Sequence, residues 1–114
     1  MADCLFCKII NKELDTDLIY EDEQLVVFED INPQAPVHLL IVPKDHKENI
    51  MELEENEFDI ISHIHKVAVQ MAEKFQIAEE GFRIVNNNRE KAGQSIFHIH
   101  YHLLGGREMQ WPPG

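Results

Sequence analysis

Residues 98–104 read His-Ile-His-Tyr-His-Leu-Leu, with an imidazole at every second position. Side chains of a β-strand alternate between its two faces, so a strand would place all three histidines on one face and the apolar residues on the other. A helix would instead turn the middle histidine away from the other two. Three imidazoles on one face need hydrogen-bond partners or a task, which favours a functional role. We therefore predict a strand over 96–104 that presents a histidine row, His98, His100 and His102.

The rest of the chain predicts four more strands and two helices. Apolar residues at three- and four-residue steps predict a long helix over 57–75, and a short apolar cluster predicts a helix over 5–10. Strand-like runs occupy 18–21, 24–29, 37–42 and 82–85. This order predicts an α+β fold, with a five-stranded, largely antiparallel sheet and the long and short helices on one face. With 114 residues and no repeat or linker, the chain is expected to form one domain, 1–114.

The charge limits the classes of partner. The chain carries 21 acidic and 10 basic residues, a net charge of −11. Such a protein is repelled by nucleic-acid backbones and anionic membranes, so neither polymeric nucleic acid nor a membrane is an expected partner. A single nucleotide remains compatible, because one phosphate needs only a few well-placed donors. There is no apolar run of the ~20 residues that span a bilayer and no visible signal peptide, so we expect a cytoplasmic protein.

Donors suited to a phosphoryl group precede the histidine row. Asn87, Gly93, Gln94 and Ser95 supply amide, backbone and hydroxyl donors. Such groups bind phosphoryl oxygens without requiring positive charge, which matters in a chain with so few basic residues.

Cys4 and Cys7 are the only cysteines. A disulfide between them would close a very small loop, so a stabilising bridge is not expected, and paired cysteines in a reducing compartment indicate metal or redox chemistry. The pair supplies half of a tetrahedral zinc site, and because no second pair exists, the other ligands would be histidines. A redox pair would need a thioredoxin-like βαβ context that the sequence lacks. Two inert cysteines are the remaining alternative.

Residues 93–107, Gly-Gln-Ser-Ile-Phe-His-Ile-His-Tyr-His-Leu-Leu-Gly-Gly-Arg, resemble the signature of the histidine triad (HIT) superfamily. Residues 30–38, Asp-Ile-Asn-Pro-Gln-Ala-Pro-Val-His, resemble its other strong block, and the terminal Trp-Pro-Pro-Gly of 111–114 resembles the end of its Hint branch, the histidine triad nucleotide-binding proteins. The resemblance covers nearly the whole chain. It implies the HIT-like fold and a homodimer that joins two sheets across the long helix and an adjacent strand.

The resemblance also implies a nucleotide hydrolase or nucleotidyl transferase. In similar proteins the middle histidine, here His100, attacks the α-phosphorus and forms a nucleotidyl-histidine that water then cleaves. A neutral imidazole is a competent nucleophile near pH 7. The resemblance further implies that the carbonyl of His98 holds the ring N–H of His100, and that His102 contacts phosphate oxygens and assists the leaving group. The predicted catalytic residues are His38, Ser95, His100 and His102.

A purine nucleotide of the AMP or GMP type is the partner that the resemblance implies. Asp30 matches the ribose-binding acid, and Asn87, Gln94 and Ser95 match phosphate-site positions. Four apolar residues resemble walls of the base pocket, although core packing explains them equally well: Leu5, Phe6, Phe28 and Ile31.

Related proteins can carry a Cys-Cys-His-His zinc site, and its histidines correspond to His46 and His98. The resemblance therefore implies a structural Zn²⁺ held by Cys4, Cys7, His46 and His98. Two thiolates and two neutral imidazoles would neutralise the ion and close its coordination.

Our main hypothesis is hydrolysis of a purine nucleoside 5′-phosphoramidate, at its P–N bond, to the monophosphate. Cleavage of dinucleoside polyphosphates is the close rival. Arg-Glu-Lys-Ala at 89–92 stands where many relatives have a Gly-rich loop on the leaving-group side, so the sequence does not determine which leaving group is preferred. A zinc hydrolase, with the histidine row or His38 around an activated water, is disfavoured because the outer Cα atoms of the row would lie about 13 Å apart. A nucleotide-binding interaction protein with little turnover is the third alternative, although all three histidines are present.

Overall fold

The computed structural model describes residues 4–114 and contains a five-stranded antiparallel sheet with a helix on each face. The elements follow the chain as α1 (Leu5–Ile10), β1 (Tyr20–Glu21), β2 (Leu25–Glu29), β3 (Val37–Pro43), α2 (Asp59–Lys74), β4 (Phe82–Val85) and β5 (Tyr101–Gly105). Short 3₁₀ turns lie at Ile50–Glu52, Glu55–Glu57 and Glu90–Ala92. Within 4–114, no helix has the length and apolar character needed to cross a membrane.

The strand order is β1-β2-β3-β5-β4, and all neighbours are antiparallel. The last strand therefore lies inside the sheet, between β3 and β4. Its register with β3 places His102 opposite Leu40 and Leu104 opposite His38. His38 and His102 are thus diagonal neighbours on one face of the sheet, although 64 residues separate them in the chain.

Both faces of the sheet are covered. Leu25, Val27, Leu39 and Ile41 pack beneath α2. The alternate residues of the same strands, Val26, Phe28, Leu40 and Val42, pack against Phe6 and Ile9 of α1. The prediction that both helices share one face is therefore wrong. Continuous apolar strands such as β2 and β3 are typical of sheets buried on both sides, and α1 covers the second side.

The predicted strand over 96–104 is too long at its start, because β5 begins at Tyr101. Residues 96–100 leave the sheet in a bend, in which the His98 N–H donates to the Ile96 carbonyl and the Ile99 N–H donates to the Lys47 carbonyl. The alternation of faces nevertheless holds. Ile99, Tyr101 and Leu103 lie in the core beneath α2, whereas the rings of His98 and His100 pack on Phe6 of α1.

The other boundaries agree with the prediction to within two residues, and two of the differences are at the long helix and the first strand. The long helix begins at Asp59 rather than at 57, since 55–57 form a 3₁₀ turn that a capping box between Glu54 and Glu57 closes. The first strand covers only Tyr20–Glu21 of the predicted 18–21.

Asp22 ties the β1–β2 turn to α2. Its Oδ2 lies 2.6 Å from His63 Nε2 and accepts from the Tyr20 hydroxyl, while its Oδ1 accepts from the N–H groups of Gln24 and Leu25. Burial alone would raise the pKa of this carboxyl, but the hydrogen bonds from Gln24, His63, Tyr20 and Leu25 outweigh it and lower the pKa from 3.8 to about 2. The carboxylate is therefore the form that the fold stabilises.

Asp22→Asn should lower the free energy of unfolding by about 1 kcal/mol at pH 7, because an amide accepts these hydrogen bonds more weakly than a carboxylate. A carboxyl whose pKa is depressed in the fold contributes stability above its unfolded value, about 3.9, and loses it as the pH falls towards 2. Urea unfolding at pH 7 and near pH 3 measures the effect, with the exposed Asp15→Asn as the control. A deficit of equal size at both pH values would contradict this assignment.

Candidate active site

The histidines meet on the α1 face of the sheet, where β3 and β5 lie side by side. His38 and His100 are buried and His102 is half-buried. The ring centroids of His100 and His102 are 5.1 Å apart, as are those of His38 and His102. Phe6 packs edge-on against His100, with the centroids 5.0 Å apart. Imidazoles from β3, from β5 and from the residue just before β5 therefore form one group beneath the short helix.

His100 has one unprotonated ring nitrogen. Its Nδ1 lies 2.8 Å from the carbonyl oxygen of His98, and since a carbonyl only accepts, Nδ1 carries the proton. The lone pair is consequently on Nε2. Burial lowers the pKa of His100, although the His98 carbonyl and the charge of Asp30 oppose the shift, so the ring is neutral at pH 7. A neutral imidazole with a bare Nε2 is chemically a nucleophile.

The histidine pair, His38 and His102, has a tautomeric state that the backbone fixes. The Gln34 N–H donates to His38 Nδ1 at 3.0 Å, so the proton of His38 is on Nε2. That Nε2–H donates to His102 Nδ1 at 2.9 Å and also lies 3.4 Å from Asp30 Oδ2. His102 must then carry its own proton on Nε2. The site thus offers a bare nitrogen on His100 and an N–H on the neighbouring His102.

Burial keeps the histidine pair neutral in the resting protein. It lowers the pKa of His102 to about 4, with further lowering by His100 and His38. Burial also lowers the pKa of His38, and the Asp30 carboxylate partly offsets the shift. The Asp30 carboxylate therefore favours an added proton on the pair.

The predicted phosphate donors lie in the β4–β5 loop (residues 86–100). Ser95 and Gly93 are exposed, and Gly93 has a φ of 96°, which favours glycine. A Cβ at Gly93 would lie 3.9 Å from Asn87 Nδ2, so this amide and the Gly93 backbone are close together. Gln94 differs from these residues, because it is buried and its side-chain amide is bonded within the chain.

Sequence reasoning missed Asn86. Its Nδ2 donates to the His100 carbonyl at 3.0 Å, and its Oδ1 accepts from Asn88, which in turn accepts from the Ile50 N–H. Asn86 therefore holds the backbone of the candidate nucleophile. Residues 86–88 are three consecutive asparagines, and no feature of the sequence alone separates their roles.

The residues predicted to contact the ribose and base differ in their exposure to solvent. Asp30 lies beside the histidine pair, with its Oδ1 accepting from the Asn32 N–H. Phe6 and Phe28 are buried and pack edge-on against each other, as core residues do. Leu5 and Ile31 are exposed, Ile31 almost fully at 99%. Core packing accounts for the two phenylalanines, and only the two aliphatic residues present open apolar surface.

The four predicted metal ligands form a second cluster, which we call the metal cluster (Cys4, Cys7, His46 and His98). His98 Nδ1 lies 3.3 Å from Cys4 Sγ, 3.6 Å from Cys7 Sγ and 3.0 Å from His46 Nδ1, and Cys7 Sγ lies 3.3 Å from His46 Nδ1. In a tetrahedral zinc site the corresponding ligand-to-ligand distances are about 3.3–3.6 Å. Three of these four distances lie in that range and the distance between the two histidines is slightly shorter, so the spacing of the donors is close to that of a tetrahedral site.

The protonation of the metal cluster also suits a cation. His98 Nε2–H donates to the Pro43 carbonyl at 2.7 Å, which leaves the lone pair on Nδ1 facing the cluster. Burial lowers the pKa of His98 to about 4, so this ligand is neutral. Burial, followed by the effect of Cys4, raises the pKa of the Cys7 thiol to about 11, so a nearby cation is needed to make it a thiolate at neutral pH.

The histidine row does not converge on one ion. Nδ1 of His98 faces the two cysteines, Nδ1 of His100 is bonded to a carbonyl, and Nδ1 of His102 is bonded to His38. A zinc hydrolase built on the whole row is therefore incompatible with this geometry. Asp30, His38 and His102 also lie close enough to hold a cation, but the hydrogen bond between the two rings already uses the facing nitrogens.

The tautomers are directly measurable. At pH 7 we expect His100 to be neutral and protonated on Nδ1, and His38 and His102 to be neutral and protonated on Nε2. Long-range ¹H–¹⁵N correlation spectra of the imidazoles distinguish these states, and the exposed His65 provides an internal reference. A doubly protonated His100 at pH 7, or a proton on its Nε2, would contradict the assigned nucleophile.

Comparison with known proteins supports the architecture. The HIT domain family matches residues 11–109. A "14 kDa zinc-binding protein" of Zea mays is 46% identical over 112 residues, covering 96% of this chain and 87% of its own. A protein of the same name from Brassica juncea is 45% identical over 114 residues, covering 98% of this chain and 100% of its own.

Solved structures agree closely. A HIT family hydrolase from Legionella pneumophila Philadelphia 1 has a TM-score of 0.95 at 43% identity, covering 98% of this chain and 100% of that chain. A HIT family hydrolase from Clostridium thermocellum has a TM-score of 0.93 at 49% identity, covering 96% of both chains. With a family match over 11–109 and relatives of this similarity across almost its whole length, the chain belongs to the HIT family.

Proposed function

We propose that this chain hydrolyses the P–N bond of purine nucleoside 5′-phosphoramidates through a nucleotidyl intermediate on His100. The observation that carries the proposal is the bare Nε2 of His100 beside a histidine that retains an N–H donor. A nucleophile and a proton donor in one group are what a two-step displacement at phosphorus needs. The names of the solved relatives, HIT family hydrolases, support hydrolysis as the class of reaction.

In the first step, His100 Nε2 attacks the α-phosphorus and the P–N bond breaks. The departing nitrogen needs a proton, and the histidine pair is the nearest source. The pair is neutral at rest, so it takes this proton up from solvent, an uptake that the Asp30 carboxylate favours, and passes it on through His102 Nε2. In the second step, water attacks the nucleotidyl-histidine and the pair accepts the proton from water, as microscopic reversibility requires.

The β4–β5 loop supplies the remaining contacts in this proposal. Ser95 and the amide of Asn87 beside Gly93 bind the phosphoryl oxygens, since they are the polar donors at the loop. Asp30 receives the ribose hydroxyls, and Leu5 and Ile31 provide the open apolar surface for the purine base.

Dinucleoside polyphosphate hydrolysis is the second candidate, because the same nucleophile would serve it. Arg89 and Lys91, both exposed, flank the loop where many relatives have glycines. Two cations there favour a leaving group that carries further phosphates. The two candidate functions therefore differ in the leaving group, which is an amine in one and a nucleotide in the other.

We further propose that the metal cluster holds a structural Zn²⁺ through Cys4, Cys7, His46 and His98. The tetrahedral spacing of the four donors supports it, and so do the names of the two zinc-binding plant relatives. A bound zinc would supply closed tetrahedral coordination, not a reactive water. The chain's own contribution is to anchor His98, whose carbonyl orients His100.

We also propose a cytoplasmic homodimer. Phe58 and Val69, at the start and on the outer side of α2, are large apolar residues that are 46% and 51% exposed. A second copy would cover such surface on the long helix.

The covalent step gives the first test. Incubation with an adenosine 5′-phosphoramidate and early quenching should give an AMP adduct by intact mass, followed by AMP release. His100→Ala should lose the adduct and about a thousandfold or more of kcat, as expected for a missing nucleophile, whereas His65→Ala should retain both. Tight AMP binding without an adduct or turnover would contradict the proposal and leave a nucleotide-binding protein. A higher kcat/KM for a dinucleoside polyphosphate would favour the second candidate.

Metal content gives the second test. The purified protein should carry about one zinc per chain by elemental analysis, and removal by a chelator should lower the melting temperature by several degrees. Cys7→Ser should lose the metal, whereas Ser62→Ala, an exposed change on α2, should retain it. A chain that binds no zinc, or whose melting temperature is unchanged by its loss, would contradict a structural role.

A further inference from the structure

We propose that Gln94 is a positioning residue, which fixes the shape of the β4–β5 loop around His100 instead of contacting phosphate. The inference rests on the proposed function, since it concerns how that site is built. Sequence resemblance assigned Gln94 to the phosphate contacts, but its surroundings in the fold point elsewhere. Gln94 is 2% exposed, whereas its neighbours Gly93 and Ser95 are exposed.

Every polar group of the Gln94 side chain has a partner inside the chain. Its Oε1 accepts from the Arg89 N–H at 2.6 Å, and its Nε2 donates to the carbonyls of Ile96, at 3.1 Å, and Glu48. An amide nitrogen has two N–H donors, and both are used here. Its backbone N–H is also bonded, to the Arg89 carbonyl at 3.1 Å. A phosphate contact would have to break a hydrogen bond to a carbonyl, at a cost typical of a buried unsatisfied group.

These hydrogen bonds stabilise the backbone of residues 89–93, which has an unfavourable conformation. Arg89 has a φ of 74°, which is unusual for a residue other than glycine, and its N–H is the one that Gln94 accepts. Gly93 has a φ of 96°, so the turn at 89–93 contains two residues with positive φ. The bond to Ile96 fixes the residue that lies two positions before His98. Gln94 therefore closes the loop on both sides of Ser95.

The bond from Gln94 Nε2 to the Glu48 carbonyl joins the loop to the segment that follows the metal-cluster residue His46. Glu48 belongs to segment 46–50, which starts at the metal-cluster residue His46. The same segment contacts the loop twice more, through the Lys47 carbonyl to the Ile99 N–H and through the Ile50 N–H to Asn88. The bond from Gln94 to Glu48 thus lies between two other hydrogen bonds that join segment 46–50 to the loop. Its loss should loosen the loop while leaving the sheet intact, because none of its partners lies in a strand.

Four substitutions, two of them at Gln94, separate positioning from direct contact. Gln94→Glu keeps the shape and the acceptor for Arg89 but turns an oxygen towards two carbonyls, and Gln94→Met keeps the volume and loses all three bonds. Gln24→Glu, at the exposed β1–β2 turn, is the matched control for the charge. Ser95→Ala is the comparator for a residue that touches phosphate without shaping the loop.

Hydrogen–deuterium exchange without nucleotide provides the decisive measurement, alongside the Kd for AMP and kcat and KM for the phosphoramidate. Both Gln94 variants should exchange at least tenfold faster over residues 89–99, with kcat lowered tenfold or more, whereas Ser95→Ala should weaken AMP binding and exchange like the wild type. If both Gln94 variants exchange over residues 89–99 at the wild-type rate, the proposal is overturned. This holds whether their affinity for AMP is lowered or is also unchanged.

A measurement on the wild type covers the case in which neither variant folds. The Gln94 side-chain NH₂ resonances should exchange slowly with solvent and shift little when AMP is added, since they stay bonded to Glu48 and Ile96. A large shift on AMP binding would assign the amide to phosphate and overturn the proposal. Neither the exchange rates nor these resonances depend on turnover. An absence of phosphoramidase activity would therefore contradict the proposed function without affecting this test of Gln94.

Discussion

The hydrogen bonds of His98 are the constraint on which the site depends. Its backbone carbonyl accepts the Nδ1–H of His100 and so leaves a lone pair on the opposite nitrogen. Its side chain spans the gap between the Pro43 carbonyl and the two cysteines. One residue therefore joins the end of β3, the metal cluster and the nucleophile. A change that moves its backbone weakens the bond that fixes both the protonated nitrogen and the position of His100.

The sheet explains how the histidines come together although they are distant in sequence. Because β5 lies between β3 and β4, the histidine pair forms across two central strands, beneath α1. Burial keeps all three imidazoles uncharged, which suits a nucleophile but not the binding of an anion. Polar donors of the β4–β5 loop take over that task in the proposed mechanism.

Much of this could be predicted from residue order, and the exceptions have physical causes. The alternation over 98–104 predicted the shared face correctly, since side-chain direction persists even where the ladder ends before Tyr101. The side of the sheet on which α1 packs depends on chain path, which local periodicity does not encode. The roles of Asn86 and Gln94 depend on backbone groups that are distant in sequence, such as the Glu48 carbonyl. Such partners are visible only in the fold.

In the proposed mechanism, His100 forms a covalent bond to phosphorus. This step is tested most directly by the stereochemistry of one turnover, with an adenosine 5′-phosphoramidate made chiral at phosphorus by sulfur and hydrolysed in ¹⁸O-water. Two successive in-line displacements each invert the centre, so our account predicts net retention of configuration. Net inversion would mean that water attacks the substrate directly, and would contradict a nucleotidyl-histidine intermediate.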